Sequence, residues 1–247
     1  SAMPGPFYSS WKTPTTNSSH YASAMGDFNN DGYIDFAVGS SNYPTYNGVY
    51  RNNGDGTFSS TGWITNDNAW AYVDWGDYDN DGYIDLLVKV NFNGVKVYHN
   101  NNGDGTFTLT YQIPPDEYQY AVAWGDYNND GLIDILLGNW GAPSRVYCNN
   151  GVGGFNSAWI APSSNNALDV DWGDFDNDGY LDILIGNRTG NSCVYFNNGD
   201  GTTFSSVNLS QTDDYTCDVA CGDYNNDGFL DILVGSYYRP DRVYRNN

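Results

Sequence analysis

The sequence predicts an all-β fold, and within that class a five-bladed β-propeller with four antiparallel strands per blade. Three observations carry this. An acidic segment recurs five times in the 247 residues, starting at Gly26, Gly76, Gly125, Gly173 and Gly222. A second element, Val-Tyr followed by an Asn/Gly-rich turn and a Phe, keeps register with it and ends at Phe58, Phe107, Phe155 and Phe204. No stretch sustains the 3.6-residue apolar period of a helix. A repeat of roughly 45–50 residues containing four strands is the spacing of a propeller blade.

Each repeat reads the same way. The first strand precedes the acidic segment, as in AYVDWGD from Ala71. The second follows it, as in YIDLLV, and is rich in branched residues that suit a pleated surface. The third is the Val-Tyr segment. Asn-Gly and Asp-Gly then supply the positive φ of a tight hairpin. The fourth starts at the Phe, as in FSSTGWI from Phe58. The expected blades span 21–65, 70–113, 119–161, 167–209 and 216–247, the last completed by residues 4–13. In that three-plus-one closure the strand at Phe7–Thr13 lies beside Arg242–Arg245. The opening SAMPGP reads as a cloning remnant, so the expected location is extracellular or cell-surface, with a secretion signal not present in this sequence.

Charge narrows the function. The net charge is −21, with 9 Lys and Arg against 30 Asp and Glu. That excludes nucleic acid, whose binding depends on neutralising phosphates, and anionic membrane surfaces. No apolar run approaches the ~20 residues of a membrane helix. The five acidic segments hold 17 of the 30 acids, a clustering that solubility does not require. Cys148, Cys193, Cys217 and Cys221 show neither zinc-type spacing nor a dense disulfide pattern. They read as buried small apolar residues.

Numbered from its first Asp, each acidic loop has oxygen side chains at positions 1, 3, 5 and 9 and Gly at 6. The sets are Asp27, Asn29, Asp31 and Asp35; Asp77, Asp79, Asp81 and Asp85; Asp126, Asn128, Asp130 and Asp134; Asp174, Asp176, Asp178 and Asp182; and Asp223, Asn225, Asp227 and Asp231. Position 7, at Tyr33, Tyr83, Leu132, Tyr180 and Phe229, varies as expected if only its backbone carbonyl binds. A hard divalent cation takes six to eight such oxygens. Five structural Ca²⁺ sites are therefore expected, each neutralising carboxylates beside a buried strand. The alternative is a set of metal-free Asx turns. The NNGDGTF turn is an internal contrast, because Val152 replaces its Asp in one copy. An EF-hand is excluded, since position 12 is Val38, Val88, Leu137, Ile185 or Val234 rather than Glu.

The pattern D-x-[DN]-x-D-G-x-x-D between a small/aromatic strand and an apolar strand, followed by NNGDGTF, resembles the FG-GAP/VCBS repeat family over nearly the whole chain. The resemblance implies calcium-binding propeller blades, with the five Asp/Asn sets as ligands, as in integrin α-chain heads and several secreted lectins and adhesins.

Chain direction puts the acidic loops and the NNGDG turns at one end of the blades and the divergent connections at the other. Loops on a rigid scaffold are the usual place for binding. Aromatic faces with nearby amides and charges suit carbohydrate, and the candidates are Trp70, Trp140, Arg188, Tyr237 and Tyr238. Trp75, Trp124 and Trp172, with Met25 and Cys221 at the same register, read as packing between blades. Trp11, Trp63 and Trp159 recur on the fourth strand and read as structural. Only His20 and His99 are present and no nucleophile motif occurs, which argues against an enzyme. The expectation is a monomeric, calcium-stabilised lectin-like module; the alternative is a protein-binding adhesion module of a larger extracellular protein.

Overall fold

The computed structural model describes residues 12, 20–40, 47–65, 71–90, 93–115, 118–209 and 215–247. Every regular element among them is a β-strand. The first sheet runs through β1 (His20–Gly26), β2 (Asp35–Ser40), β3 (Gly48–Asn52) and β4 (Phe58–Ile64). The second holds β5 (Ala71–Gly76), β6 (Asp85–Val90), β7 (Gly94–Asn100) and β8 (Phe107–Ile113). The third holds β9 (Tyr118–Gly125), β10 (Asp134–Trp140), β11 (Arg145–Asn149) and β12 (Phe155–Ile160). The fourth holds β13 (Ala167–Gly173), β14 (Asp182–Asn187), β15 (Cys193–Asn197) and β16 (Phe204–Asn208). The fifth has three strands among the described residues, β17 (Thr216–Gly222), β18 (Asp231–Ser236) and β19 (Arg242–Tyr244). Each sheet is an antiparallel meander in sequence order. The expected closing strand at 4–13 lies outside the described residues, apart from Lys12.

Sheets pack face to face in chain order, so the second strand of an inner sheet is buried on both sides and needs a continuous apolar run. In β6 all six residues are buried. Its period of two divides them: Leu86, Val88 and Val90 join Phe28, Ala37 and Val49 of the first sheet, while Leu87 joins Ile135 and Leu137 of the third. Two more clusters fill the third–fourth and fourth–fifth interfaces.

Close approach is set by a repeated glycine at the end of each first strand. A Cβ at Gly26 would strike Ile84 and Trp75, and one at Gly76 would strike Ile133 and Trp124. Gly125 is covered by Trp172 and Leu181, and Gly173 by Leu230. Gly222, in the fifth sheet, meets nothing within 4 Å. Its would-be covers by register, Met25 and Ile34 of the first sheet, are 80% and 53% exposed. The tryptophans thus pack between sheets as expected; Trp75 also donates its indole N–H to the Ala24 carbonyl at 3.2 Å. Met25 does not, because no described sheet lies over that face.

The fourth-strand tryptophans are structural where described. Trp63 donates to the Phe107 carbonyl at 3.0 Å, and Trp159 is buried against Tyr195 and Phe204. Trp11 lies outside the described residues. All four cysteines are free, but only Cys193 is buried. Cys217 lies on β17, the end sheet's first strand, Cys221 turns its thiol to Asp171 and the Trp172 carbonyl of the fourth sheet while staying partly exposed, and Cys148 stands beside an acidic loop, so the expectation of four buried thiols is corrected.

Candidate functional site

The acidic loops join first to second strands and share one backbone solution. Position 4 is Asn in the left-handed region, with φ of 56–59° at Asn30, Asn80, Asn129, Asn177 and Asn226. Position 6 is Gly, with φ of 84–92° at Gly32, Gly82, Gly131, Gly179 and Gly228. Asn is among the residues that tolerate that region, and Gly has no Cβ to clash there. Together these residues curl the loop so that its acids turn inward.

Position 1 fixes the curl. Asp77 accepts the Asp81 N–H at 3.1 Å and the Gly82 N–H at 2.9 Å. The pair recurs at Asp27, Asp126, Asp174 and Asp223. Position 5 accepts the N–H of position 7: Asp31 from Tyr33, Asp81 from Tyr83, Asp130 from Leu132, Asp178 from Tyr180 and Asp227 from Phe229. Asn29, Asn128, Asp176 and Asn225 at position 3 accept the position-5 N–H. Position 9 is fully buried in Asp35, Asp85, Asp134 and Asp182 and nearly so in Asp231. Each bridges the loop to the third strand. Asp85, for example, accepts N–H groups from Tyr78 at 3.0 Å and Asn100 at 2.8 Å.

These carboxylates crowd together. Ligand oxygens of Asp77, Asp79 and Asp81 lie within 4.8 Å of one another, as do those of Asp174, Asp176 and Asp182. Burial pushes the Asp85 and Asp134 carboxyls up to about 7 and that of Asp182 up to about 6. Desolvation, then the neighbouring Asp81 charge, raises Asp79. A buried carboxyl held above its ordinary range, beside more exposed loop carboxylates, has the donor chemistry of a hard divalent cation site. The residues fit Ca²⁺, with each oxygen keeping a lone pair beyond its N–H bond.

The loops are chained to one another. Asn30 donates its amide to the Gly82 carbonyl at 2.8 Å, Asn80 to Gly131 at 2.8 Å, Asn129 to Gly179 at 2.8 Å and Asn177 to Gly228 at 3.0 Å. The third-strand Asn staples in the other direction. Asn100 donates to the Phe28 carbonyl of the preceding sheet at 2.7 Å and to Ile84 of its own at 2.9 Å. Asn149, Asn197 and Asn246 reach the Tyr78, Tyr127 and Phe175 carbonyls in the same way. Position 7 has a side-chain role that spacing did not reveal: it packs on the first turn glycine, so that a Cβ at Gly54 would meet Tyr33 and one at Gly199 would meet Tyr180. This contact puts turns and acidic loops at one end of the sheets.

The residue just before the third-strand Asn was missed as a functional position; it reaches the acidic loop in four repeats and packs in the fourth–fifth cluster, as Phe196, in the other. It is Arg51, His99, Cys148, Phe196 and Arg245 in chain order. Arg51 pairs with Asp31 and Arg245 with Asp227, each at 3.0 Å. The Tyr33 N–H and the Arg51 guanidinium hold Asp31 below its ordinary range. The signal was its variability inside an otherwise constant Val-Tyr-x-Asn motif.

At the opposite end, Trp140 and Arg188 come together, the guanidinium lying 5.3 Å from the ring centroid. Asn166 positions them: its side-chain oxygen accepts the Gly141 N–H at 2.9 Å and its carbonyl accepts the Arg188 N–H at 2.8 Å. Tyr120 packs against Trp140 with ring centroids 5.7 Å apart. Lys89 continues the series, buried with Nζ 5.0 Å from the Tyr72 centroid and 5.1 Å from that of Tyr120. No motif signalled this, because Lys89 stands where the other four sheets have Gly39, Gly138, Gly186 and Gly235. Tyr237 and Tyr238 pair at 6.2 Å, with Tyr238 96% exposed at a φ of 59°. Trp70 lies outside the described residues.

The FG-GAP-like repeat family matches residues 27–88, 90–137, 126–185 and 174–234. The chain belongs to that family. Its fold is similar to a solved structure titled "Structural basis of specific recognition of non-reducing terminal N-acetylglucosamine by an Agrocybe aegerita lection". The two are 20% identical with a TM-score of 0.62, over 94% of this chain and 64% of the other. The chain therefore spans less than two thirds of that lectin chain. No curated protein matches. Among the described residues no helix is long and apolar enough to cross a membrane.

Proposed function

We propose that the chain is a calcium-stabilised five-bladed propeller, extracellular or at the cell surface, that binds carbohydrate through its divergent loop face. The observation that carries the binding reading is the Trp140–Arg188 pair, braced by Tyr120 and tied together by Asn166. A partly exposed indole offers a flat apolar face for a pyranose, and the guanidinium supplies hydrogen-bond donors beside it. The lectin likeness is consistent with this and carries the fold alone. The role is binding rather than catalysis, with no membrane insertion and no nucleic acid.

Calcium sits in the five Asp/Asn sets, with the position-7 carbonyls completing the shell, and its role is structural. Blades follow the boundaries 21–65, 70–113, 119–161, 167–209 and 216–247 plus 4–13. Two hollows favour closure into a ring. One, about 280 Å³, lies beside Phe175 and is lined by Phe196, Val207, Leu209 and Tyr244. In the preceding interfaces the counterparts of Phe175 each receive a fourth-strand Phe, as in Phe28–Phe107, Tyr78–Phe155 and Tyr127–Phe204. The closing strand at 4–13, which lies outside the described residues apart from Lys12, is the segment proposed to fill this place. The other, about 420 Å³, lies over Gly222 and Leu233, where Met25 and Ile34 of the first sheet fit. The closed ring is a monomer.

Thermal unfolding with calcium and with excess chelator, followed by a glycan array with the calcium-loaded protein and its Trp140→Ala variant, tests this. A reversible loss of melting temperature on chelation and glycan hits lost in the variant support it. No effect of chelation removes the calcium reading. An empty array with a stable, calcium-loaded protein replaces the lectin with a protein-binding adhesion module, for which exposed Tyr237 and Tyr238 are the contact residues.

A further inference from the structure

We infer that the second acidic loop, one of the five calcium loops of the reading above, is also a mixed nitrogen–oxygen site at which a first-row transition dication displaces calcium through His99, Asp79 and Asp85. The five loops share a backbone but differ in the residue just before the third-strand Asn. Two have Arg, one Cys and one Phe; only the second has an imidazole. His99 Nδ1 stands 3.1 Å from Asp79 Oδ2 and 3.4 Å from Asp85 Oδ1. The three donor atoms lie within 4.8 Å of one another.

Two details separate this from an ordinary histidine–carboxylate contact. His99 Nδ1 is buried and makes no hydrogen bond despite its short distances. The imidazole is also held in place: Tyr78, almost fully buried, meets it edge-on at 6.5 Å. The donor separations match the edges of a shell whose bonds are roughly 2.0–2.2 Å, the range for nitrogen and carboxylate oxygen on Zn²⁺. Nε2 lies 4.0 Å from Asp81 Oδ2, beyond hydrogen-bond reach, which leaves Nδ1 as the ring nitrogen turned to Asp79 and Asp85.

The metal class follows from the donors. All-oxygen loops favour hard cations, whereas an imidazole adds selectivity for borderline ions such as Zn²⁺. This loop also has Asp at position 3, where the first, third and fifth have Asn, so it carries four carboxylates and no compensating arginine. The fourth loop has the same four carboxylates but has Phe196, which packs in the apolar cluster, at the register of the imidazole. It is the built-in control, a site for calcium and not for the transition ion.

The test uses the whole chain, stripped of metal and then reloaded with excess calcium. Zn²⁺ is titrated by calorimetry and by long-range ¹H–¹⁵N spectra of the imidazoles, of which there are two in this sequence. The expected result is one Zn²⁺ equivalent, with a shift confined to one imidazole that disappears in His99→Gln. That variant weakens Zn²⁺ binding by on the order of tenfold or more, keeps its calcium-dependent melting temperature, and is unlike His20→Gln, which behaves as the parent. Asp79→Asn weakens Zn²⁺ as well and checks the carboxylate. Zn²⁺ binding that is absent, or unchanged in His99→Gln, overturns the inference. The calcium reading fails separately: if chelation leaves melting unaltered while Zn²⁺ still shifts His99, only the calcium role falls.

Discussion

The replacement Asn100→Ala tests what holds neighbouring sheets together. The Asn100 side chain is fully buried. It donates to the Phe28 carbonyl at 2.7 Å and the Ile84 carbonyl at 2.9 Å, and it accepts the Gly103 N–H at 2.8 Å. Alanine leaves two carbonyls and one N–H without their partner. Each buried polar group so orphaned costs about 1–3 kcal/mol, less where water enters, so the sum is about 3–5 kcal/mol. For a chain of this size that is a fall in melting temperature of roughly 6–20 °C. Asn52 is the matched comparison. It donates only to Ile34 of its own sheet at 3.0 Å and accepts from Gly54 at 2.9 Å, at a site open to water. In the described arrangement Asn52→Ala costs about 1 kcal/mol. Chemical denaturation of both variants in calcium, at fixed protein concentration, reads the difference. If Asn100→Ala costs no more than about 1 kcal/mol, the inter-sheet staple is not what couples the blades. If Asn52→Ala costs as much as Asn100→Ala, the first sheet has a partner over its outer face, the outcome that ring closure requires.

Four further outcomes are expected. Asp85, Asp134 and Asp182 have folded-state pKa values raised by burial to about 7, about 7 and about 6, above those of an unfolded chain. The metal-free folded state therefore holds protons that the unfolded state has lost. Its stability is present below about pH 4 and declines as pH rises toward 7, while calcium-loaded protein stays level there because a cation replaces the protons; melting curves with chelator and with calcium across about pH 5–7.5 check it. Gly39→Ala would drive a Cβ into the Ala71 carbonyl and destabilise by about 3 kcal/mol by denaturant titration; Gly235→Ala, whose nearest atom among the described residues is 3.6 Å away, costs about as much if the first sheet closes over it and less than about 1 kcal/mol if the ring stays open. Arg51→Gln frees Asp31 from its 3.0 Å partner and raises calcium affinity at the first loop, read by calorimetry; unchanged calcium binding refutes competition between guanidinium and metal. Asn166→Ala loses the oxygen that holds Gly141, and glycan hits weaken as for Trp140→Ala while melting shifts by only about 1 kcal/mol equivalent.

The repeat, the strand order within it and the loop chemistry are legible from residues close together along the chain. Those are local: a short continuous run of branched apolar residues makes a strand, and Asn-Gly and Asp-Gly make the hairpin. Aspartates at the first and fifth loop positions, with glycine at the sixth, curl one loop whatever surrounds it. Which repeats meet, and what each loop faces, depends on how the sheets come together in space. Register across sheets turned Asn100 into a staple and laid Trp140 against Arg188 from a different sheet. It also aimed Arg51, His99 and Arg245 at acids 14 to 20 residues earlier in the chain. It left Met25 uncovered although its register partners Trp75, Trp124 and Trp172 pack between sheets. The reason is physical. Backbone conformation follows from near neighbours along the chain, whereas burial and side-chain pairing depend on surfaces brought together from residues some fifty positions apart.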